Sequence, residues 1–278
     1  MAGTKHAAPR FPKGPGATLC AEIARRRRKI GNSETLLPSP PPTLLDNATL
    51  FLDLDGTLFD LVDRPDDVSA DSDMQSLLTQ LANRLDGRMA VVSGRSLEQI
   101  DGILGVSAKN LAISGSHGCE HRWQGVTVTP DRPSALDDVA TRFHAFAHNR
   151  SGVLVEEKSL GVALHYRLFP QAETAAVALA RQLAGQRGLY LQHGKMMVEL
   201  RVGIGDKGSA IRAMMSRAPM ANTIPVFAGD DLTDEPGFEA VDALGGHAIL
   251  VGDPRPTAAH FGLPSPGGLR QWLWSTLQ

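Results

Sequence analysis

Cysteine is nearly absent from this chain: among 278 residues there are two, Cys20 and Cys119, far apart in sequence. That excludes a disulfide framework and a cysteine-based zinc site, and it fits a reducing compartment, the cytoplasm. No apolar run approaches the ~20 residues that span a bilayer, and none has the form of a secretory leader. Charge of one sign is missing too. The formal net charge is −2, so no global field favours nucleic acid or a membrane surface as partner. No repeat at solenoid periods is present. What remains, 42% hydrophobic and 21% charged residues, is an ordinary globular composition, long enough for one large or two modest domains.

Residues 1–48 differ from the rest. Lys5, Arg10, Lys13 and the run Arg25-Arg26-Arg27-Arg28-Lys29 precede Pro38-Ser39-Pro40-Pro41-Pro42, which reads as a stiff linker. A basic run can bind acidic partners, but the expectation is a solvated or disordered tail with neither core nor chemistry. Deleting residues 1–44 is then expected to spare catalysis.

From residue 49 onward short apolar strands alternate with helical stretches. Strands are expected at 50–54, 89–93 and 111–114, and helices at 71–85 and 96–104. This is βαβ logic and implies a parallel sheet with right-handed crossovers. Between 119 and 202 the pattern changes. Helix 134–149 precedes strand candidates 153–157 and 161–167, and helix 171–186 precedes 189–193 and 196–202. Strands at hairpin spacing with two helices predict an antiparallel α+β lobe inserted in the parallel domain. The core resumes with helix 207–217, strand 224–228, helix 235–243, strand 247–251 and a helix carrying Leu269, Trp272, Leu273 and Leu277. The expected division is a tail at 1–48, a core at 49–118 and 203–278, and a lobe at 119–202.

The chemistry sits at strand ends. Leu50-Phe51-Leu52 runs into Asp53 and Asp55, one residue apart, then Gly56-Thr57. Alternate side chains of a strand share a face, and open α/β sheets bind ligands at the carboxyl ends of their strands. Two acids there are costly unless something binds, and a divalent cation with a phosphate makes sense of them. One carboxylate can attack phosphorus and the other can move protons. A calcium loop is the competing pattern, but residue 64 is Arg and the later oxygen ligands are missing. Three more segments bear on the choice. Ala90-Val91-Val92-Ser93-Gly94-Arg95 ends a strand in a hydroxyl, a glycine and a guanidinium suited to phosphate or sugar. Gly205-Asp206-Lys207-Gly208 opens a helix with a lysine, a setting that suits an anion. Phe227-Ala228-Gly229-Asp230-Asp231-Leu232-Thr233-Asp234-Glu235 holds four acids within six residues, suited to a hard cation. Each has a plainer reading: Ser93 as a helix cap, Lys207 as a surface residue, Asp234 and Glu235 as acids capping the next helix.

In this order the four segments resemble the motifs of the haloacid dehalogenase (HAD) superfamily of phosphotransferases, spread over most of residues 50–234. The resemblance implies an α/β fold: a HAD-type Rossmann-like parallel-sheet core with an inserted α+β cap of the C2B type. It implies Asp53 as nucleophile, Asp55 as general acid/base, and Ser93 and Lys207 as phosphoryl-binding donors. It also implies Mg²⁺ held by the Asp53 carboxylate, the Asp55 main-chain carbonyl and the Asp230 side chain, with Asp231 and Asp234 holding metal-bound water or neighbouring groups. A cap excludes bulk water and reads the leaving group, so substrate identity belongs to the lobe.

Further segments point to that substrate. Ser93-Gly94-Arg95, Gly115-Ser116-His117-Gly118, Glu156-Glu157-Lys158 with His165-Tyr166-Arg167, and Gly194-Lys195 with Glu199 resemble the trehalose-6-phosphate phosphatases, over nearly the whole chain from residue 49. This resemblance implies hydrolysis of trehalose 6-phosphate through an aspartyl phosphate. It implies contacts to the glucose units from Glu156, Lys158, Lys195 and Glu199, with Arg95 and His117 nearby, and a functional link with trehalose-6-phosphate synthase. Glu157 and Arg201 are read as solvent-facing strand residues. Val202-Gly203-Ile204-Gly205-Asp206 is more glycine-rich than the family pattern before the lysine motif. The rivals are another capped sugar phosphatase acting on sucrose or mannosyl phosphate, a phosphomutase, and a catalytically silent sugar-phosphate sensor.

Overall fold

The computed structural model describes residues 36–62, 67–203 and 205–278. In chain order the core opens with β1 (Ala48–Leu52), α1 (Ser72–Arg84), β2 (Met89–Val92), α2 (Leu97–Leu104), β3 (Ala112–Gly115) and the hairpin β4 (Glu120–Trp123)–β5 (Val126–Val128). The lobe follows as α3 (Ala135–Ala147), β6 (Leu154–Lys158), β7 (Gly161–His165), α4 (Glu173–Arg187), β8 (Tyr190–Gly194) and β9 (Met197–Arg201). The core closes with α5 (Lys207–Met215), β10 (Ile224–Gly229), α6 (Glu235–Ala243), β11 (His247–Val251), β12 (Phe261–Leu263) and α7 (Pro266–Ser275).

Every residue of β1 is buried, as a central strand covered on both faces requires. It pairs in parallel with β10 and β2, and the sheet order is β12-β11-β10-β1-β2-β3-β4-β5. Strands from β12 to β3 are parallel, so their carboxyl ends share one edge. The hairpin adds two antiparallel strands beyond β3. Helix α1 buries Met74, Leu77, Leu78 and Leu81 behind an Asp71 N-cap. Helix α2 starts in a capping box between Ser96 and Gln99. No helix among the described residues is long and apolar enough to cross a membrane.

The lobe is a four-stranded antiparallel sheet in the order β6-β7-β9-β8. Period-two alternation divides its side chains. Val162, Leu164, Val198 and Leu200 pack on Leu136, Val139 and Phe143 of α3 and on Ala176, Ala180 and Leu183 of α4. The opposite face carries the register row Glu156–Ala163–Glu199–Gln192.

Three expectations shift. Residues 120–128 pair with the core sheet rather than the lobe; the run Glu-His-Arg-Trp has no apolar signature because β4 lies near a sheet edge. A short strand, β12, was not foreseen, since three residues carry too little periodicity to read. Finally, the ordered core begins before residue 49. Leu44 and Leu45 are buried in a 3-10 turn, Trp272 Nε1 donates to the Pro41 carbonyl at 3.3 Å, and Gly262 N–H donates to that of Pro38 at 3.0 Å. The proline-rich stretch is thus a strap on the core. Residues 1–35 of the expected tail lie outside the described residues.

A chain starting at Asp46 should therefore melt below one starting at Leu36. Losing two buried leucines, at about 1.5–3 kcal/mol each, corresponds to a fall of roughly 6 °C or more in Tm. Equal melting temperatures would show that the strap contributes nothing.

Candidate active site

The core half of the site is built where β1, β2 and β10 end and α5 begins. Lys207 is the first residue of α5, behind an Asp206 N-cap. Its ammonium is buried, 2.7 Å from Asp53 Oδ1 and 2.6 Å from Asp234 Oδ1. Asp234 is wholly buried, and its other oxygen accepts the N–H groups of Asp230 at 2.9 Å and Asp231 at 3.0 Å. The Thr57 hydroxyl reaches both Asp53 Oδ2 and Asp230 Oδ1 at 3.4 Å. Gly56, at φ +81°, leaves no room for a Cβ, which would lie 2.2 Å from Asp230 Oδ2.

Asp53, Asp230 and Asp234 present oxygens within 4.8 Å of one another around one ammonium. Burial, and after it repulsion from Asp234, pushes the Asp230 carboxyl up to about 7. Burial also holds Asp53 well above the usual carboxylate range, since Lys207 does not offset it together with repulsion from Asp234 and Asp230. Burial works against the Lys207 ammonium, yet Asp234 and Asp53 raise its pKa. Two carboxylates held up beside one cation mark a place where further positive charge is accommodated. An all-oxygen donor set suits a hard cation, and Mg²⁺ fits. Asp234 has both oxygens committed, so Asp53 and Asp230 are the side chains left to hold it.

Asp55, two residues on from the nucleophile candidate, is gripped at both oxygens by Arg95, Nε to Oδ2 and Nη2 to Oδ1, each at 2.7 Å. Ser93 is buried beneath this pair, and its Oγ accepts the Arg95 N–H at 3.2 Å.

The lobe half faces these groups. Lys158 Nζ lies 2.8 Å from Glu199 Oε2 and 3.5 Å from the Gly94 carbonyl of the core. Glu156 accepts from Gln99 of α2 at 2.7 Å and pairs with His165 at 2.8 Å. His117 has left-handed backbone (φ 54°), as does Ser116 before it (φ 47°). This uncommon pair of conformations turns the ring toward the lobe, with Nε2 2.9 Å from the Gln192 amide and 3.8 Å from Glu199 Oε2. Burial lowers the His117 pKa more than Glu199 raises it. Burial opposes the Glu156 charge, but Lys158 and then His165 override it and bring the carboxyl down to about 2. Glu199 is lowered likewise, against burial, by Lys158 and His117. Lys158 is raised against burial by Glu199 and Glu156.

The sequence-derived residues Asp53, Asp55, Ser93, Arg95, His117, Glu156, Lys158, Lys195, Glu199, Lys207 and Asp230 all line one cleft. Lys195 is exposed between β8 and β9, and its charge acts on the Asp230 carboxyl. Glu157 faces outward onto His144 and Arg132. Arg201 departs from its solvent-facing expectation: it donates to the carbonyls of Gly203 and Gly205 and ties down the chain leaving the lobe. Gln99 and Gln192 were missed as site residues, and His165 was named within its segment without a role of its own. Ser96-x-x-Gln99 was legible as a capping box, whereas Gln192 is marked only by its register opposite Glu199.

Comparisons with known proteins agree on one family. The family model described as trehalose-phosphatase matches residues 51–264. A probable trehalose-phosphate phosphatase of Sinorhizobium fredii is 37% identical over 232 residues, covering 82% of this chain and 87% of that protein. The trehalose-6-phosphate phosphatase of Escherichia coli (strain K12) is 36% identical over 235 residues, covering 84% and 87%. The crystal structure of a trehalose-6-phosphate phosphatase related protein superposes with a TM-score of 0.70 at 30% identity, over 81% of this chain and 95% of that one.

Two outcomes follow from the geometry. A Cβ on Gly161 would lie 2.3 Å from Glu199 Oε1, whereas one on the exposed helical Gly185 meets nothing within 4 Å. Gly161→Ala should cost about 1–3 kcal/mol in urea unfolding, and Gly185→Ala should add about 0.5–1 kcal/mol. The second concerns acid. Glu156 has a folded-state pKa of about 2 against about 4.3 when unfolded. Its contribution is fully present above the unfolded value and is lost as pH falls toward the folded one. The stability gap between wild type and Glu156→Gln should be widest near pH 6 and narrow steadily below about pH 4; a gap that grows on acidification contradicts the assignment.

Proposed function

The chain belongs to the trehalose-phosphatase family, and from that premise we propose that it is a Mg²⁺-dependent phosphatase converting trehalose 6-phosphate to trehalose and phosphate. The observation that carries this reading is the meeting, in one cleft, of a buried Asp53–Lys207 pair with a row of lobe donors and acceptors. The first half suits a phosphoryl group and the second suits sugar hydroxyls, which need both donors and acceptors in a fixed array.

Asp53 attacks phosphorus in line, and the bond to the sugar oxygen breaks to leave an aspartyl phosphate. Asp55 protonates the departing oxygen, then takes a proton from the water that hydrolyses the intermediate. Both Asp55 oxygens are engaged by Arg95 in the structure, so that pair opens before Asp55 acts, and the guanidinium is released toward substrate oxygens. Lys207 and Ser93 donate to the phosphoryl oxygens. Mg²⁺, held by Asp53, Asp230 and the Asp55 carbonyl, would supply the neutralisation a carboxylate needs to approach a phosphate dianion. On the lobe, Glu156, Lys158, Lys195 and Glu199 take the glucose units, with Gln192 and His117 beside them. We place the reaction in the cytoplasm, a reducing compartment that the scarcity of cysteine fits, and downstream of a trehalose-6-phosphate synthase.

Phosphate release measured over a panel of sugar phosphates should be fastest with trehalose 6-phosphate; preference for a sucrose or mannosyl phosphate, or transfer to sugar without phosphate release, refutes the reading. EDTA should abolish turnover and Mg²⁺ restore it. Asp53→Asn should lower kcat by more than about 10³-fold with the fold kept; turnover within about tenfold of wild type is incompatible with the covalent route. Glu199→Gln should cost roughly 10²-fold in kcat/KM for trehalose 6-phosphate while sparing p-nitrophenyl phosphate, which does not reach the lobe. Equal losses on both substrates would assign Glu199 to structural support alone.

A further inference from the structure

The loop between β11 and β12 carries a residue outside every motif considered so far. Arg255 donates through Nε to the Asp230 carbonyl at 3.3 Å and through Nη2 to the Asp231 carbonyl at 2.8 Å. Its Nη1 pairs with Glu235. Glu235 in turn accepts the Thr257 hydroxyl at 2.7 Å and the Ala258 N–H at 2.8 Å, which closes the loop back on itself. Pro254 and Pro256 flank Arg255, restricting the backbone on both sides of it. The side chain is one-fifth exposed.

The main-chain groups of Asp230 and Asp231 are therefore held at both ends. Asp234 takes their N–H groups and Arg255 takes their carbonyls. Neither contact uses the Asp230 carboxylate, which stays turned toward Asp53 and Thr57. A guanidinium near a cation site would repel the cation, but here Glu235 pairs with it, so what remains is its geometric effect.

We propose that Arg255 is a positioning residue for the divalent-cation site: its fork fixes the Asp230–Asp231 backbone so that the Asp230 carboxylate is preorganised for Mg²⁺. This rests on the reading of Asp230 as a Mg²⁺ ligand. Groups that orient metal ligands from behind typically change metal affinity 10–100-fold when removed. Lysine has no planar fork and reaches one carbonyl at a time, so restoring charge alone does not restore the effect.

The test is Mg²⁺ binding by titration calorimetry on the full chain, without substrate, for wild type, Arg255→Ala, Arg255→Lys and Asp230→Asn, with a thermal melt of each. Arg255→Ala should raise the Kd by about 10-fold or more, and Arg255→Lys should recover only part of that. If Asp230→Asn loses Mg²⁺ while Arg255→Ala binds it as wild type does, the positioning role is overturned and the metal assignment stands. If Asp230→Asn binds as wild type does, both are overturned. Should Arg255→Ala fail to fold, Arg255→Lys decides: wild-type affinity means charge rather than geometry, and the proposal fails.

Discussion

The buried triad Asp53–Lys207–Asp234 is the interaction on which the rest of the molecule depends. Taking two carboxylates and an ammonium out of water costs several kcal/mol per ion, recovered only with good geometry and further hydrogen bonds. Both conditions hold, with contacts of 2.7 and 2.6 Å and two backbone N–H groups on the remaining Asp234 oxygen. The triad joins three separate pieces of chain: the end of β1, the first turn of α5 and the exit of β10. Losing one partner from such a group typically costs about 3–5 kcal/mol, because a charge stays buried without compensation. The neighbouring Gly208 reflects the same constraint. A Cβ there would lie 2.2 Å from the Pro236 carbonyl, so only glycine lets α5 approach α6 closely enough to bring Lys207 to both acids.

The lobe solves a different problem. Its apolar core is internal, between its sheet and α3 and α4, while its contacts with the core across the cleft are polar: Gln99 with Glu156, Lys158 with the Gly94 carbonyl, and His117 with Gln192. Polar contacts of this kind exchange with water or a ligand at little net cost. The same side chains that bridge the cleft are those with hydrogen-bonding capacity to offer a sugar. On the proposed function, recognition and closure would be carried by one set of groups, so that a substrate satisfying them would also hold the lobe down.

How much of this was legible in the sequence depended on how local each constraint is. The strand-end motifs around Asp53, Ser93 and Asp230 were readable because chemistry and chain direction coincide within a few residues. The lobe was readable as an insertion because its helices and hairpins change the hydrophobic period. The hairpin β4–β5 was assigned to the wrong unit because a strand near a sheet edge has no need of an apolar run, and β12 is too short to show one. Asp234 was read as part helix cap. Its role as the hub of the triad depends on a contact 27 residues away in sequence, which spacing does not reveal. Arg255 lay beyond reach for the same reason: its partners are backbone carbonyls, and carbonyls have no letter in a sequence.

The two halves of the cleft differ in how charge is balanced, and the difference matches the two ends of the proposed substrate. On the lobe, each buried acid has the Lys158 ammonium within reach, Glu199 at 2.8 Å and Glu156 at 3.9 Å, with His165 a further partner of Glu156, and both carboxyls are held low. Those acids are held ionised without a further cation, and a neutral sugar brings no charge. In the core, Lys207 serves both Asp53 and Asp234 while Asp230 remains, and Asp53 and Asp230 are held high. A phosphate dianion alone would deepen that imbalance, whereas a divalent cation relieves it and gives the dianion a partner. The core half is therefore arranged to favour phosphate and cation together over either alone. On the proposed function, the lobe half would then discriminate among sugars without disturbing the electrostatics of the bond being broken.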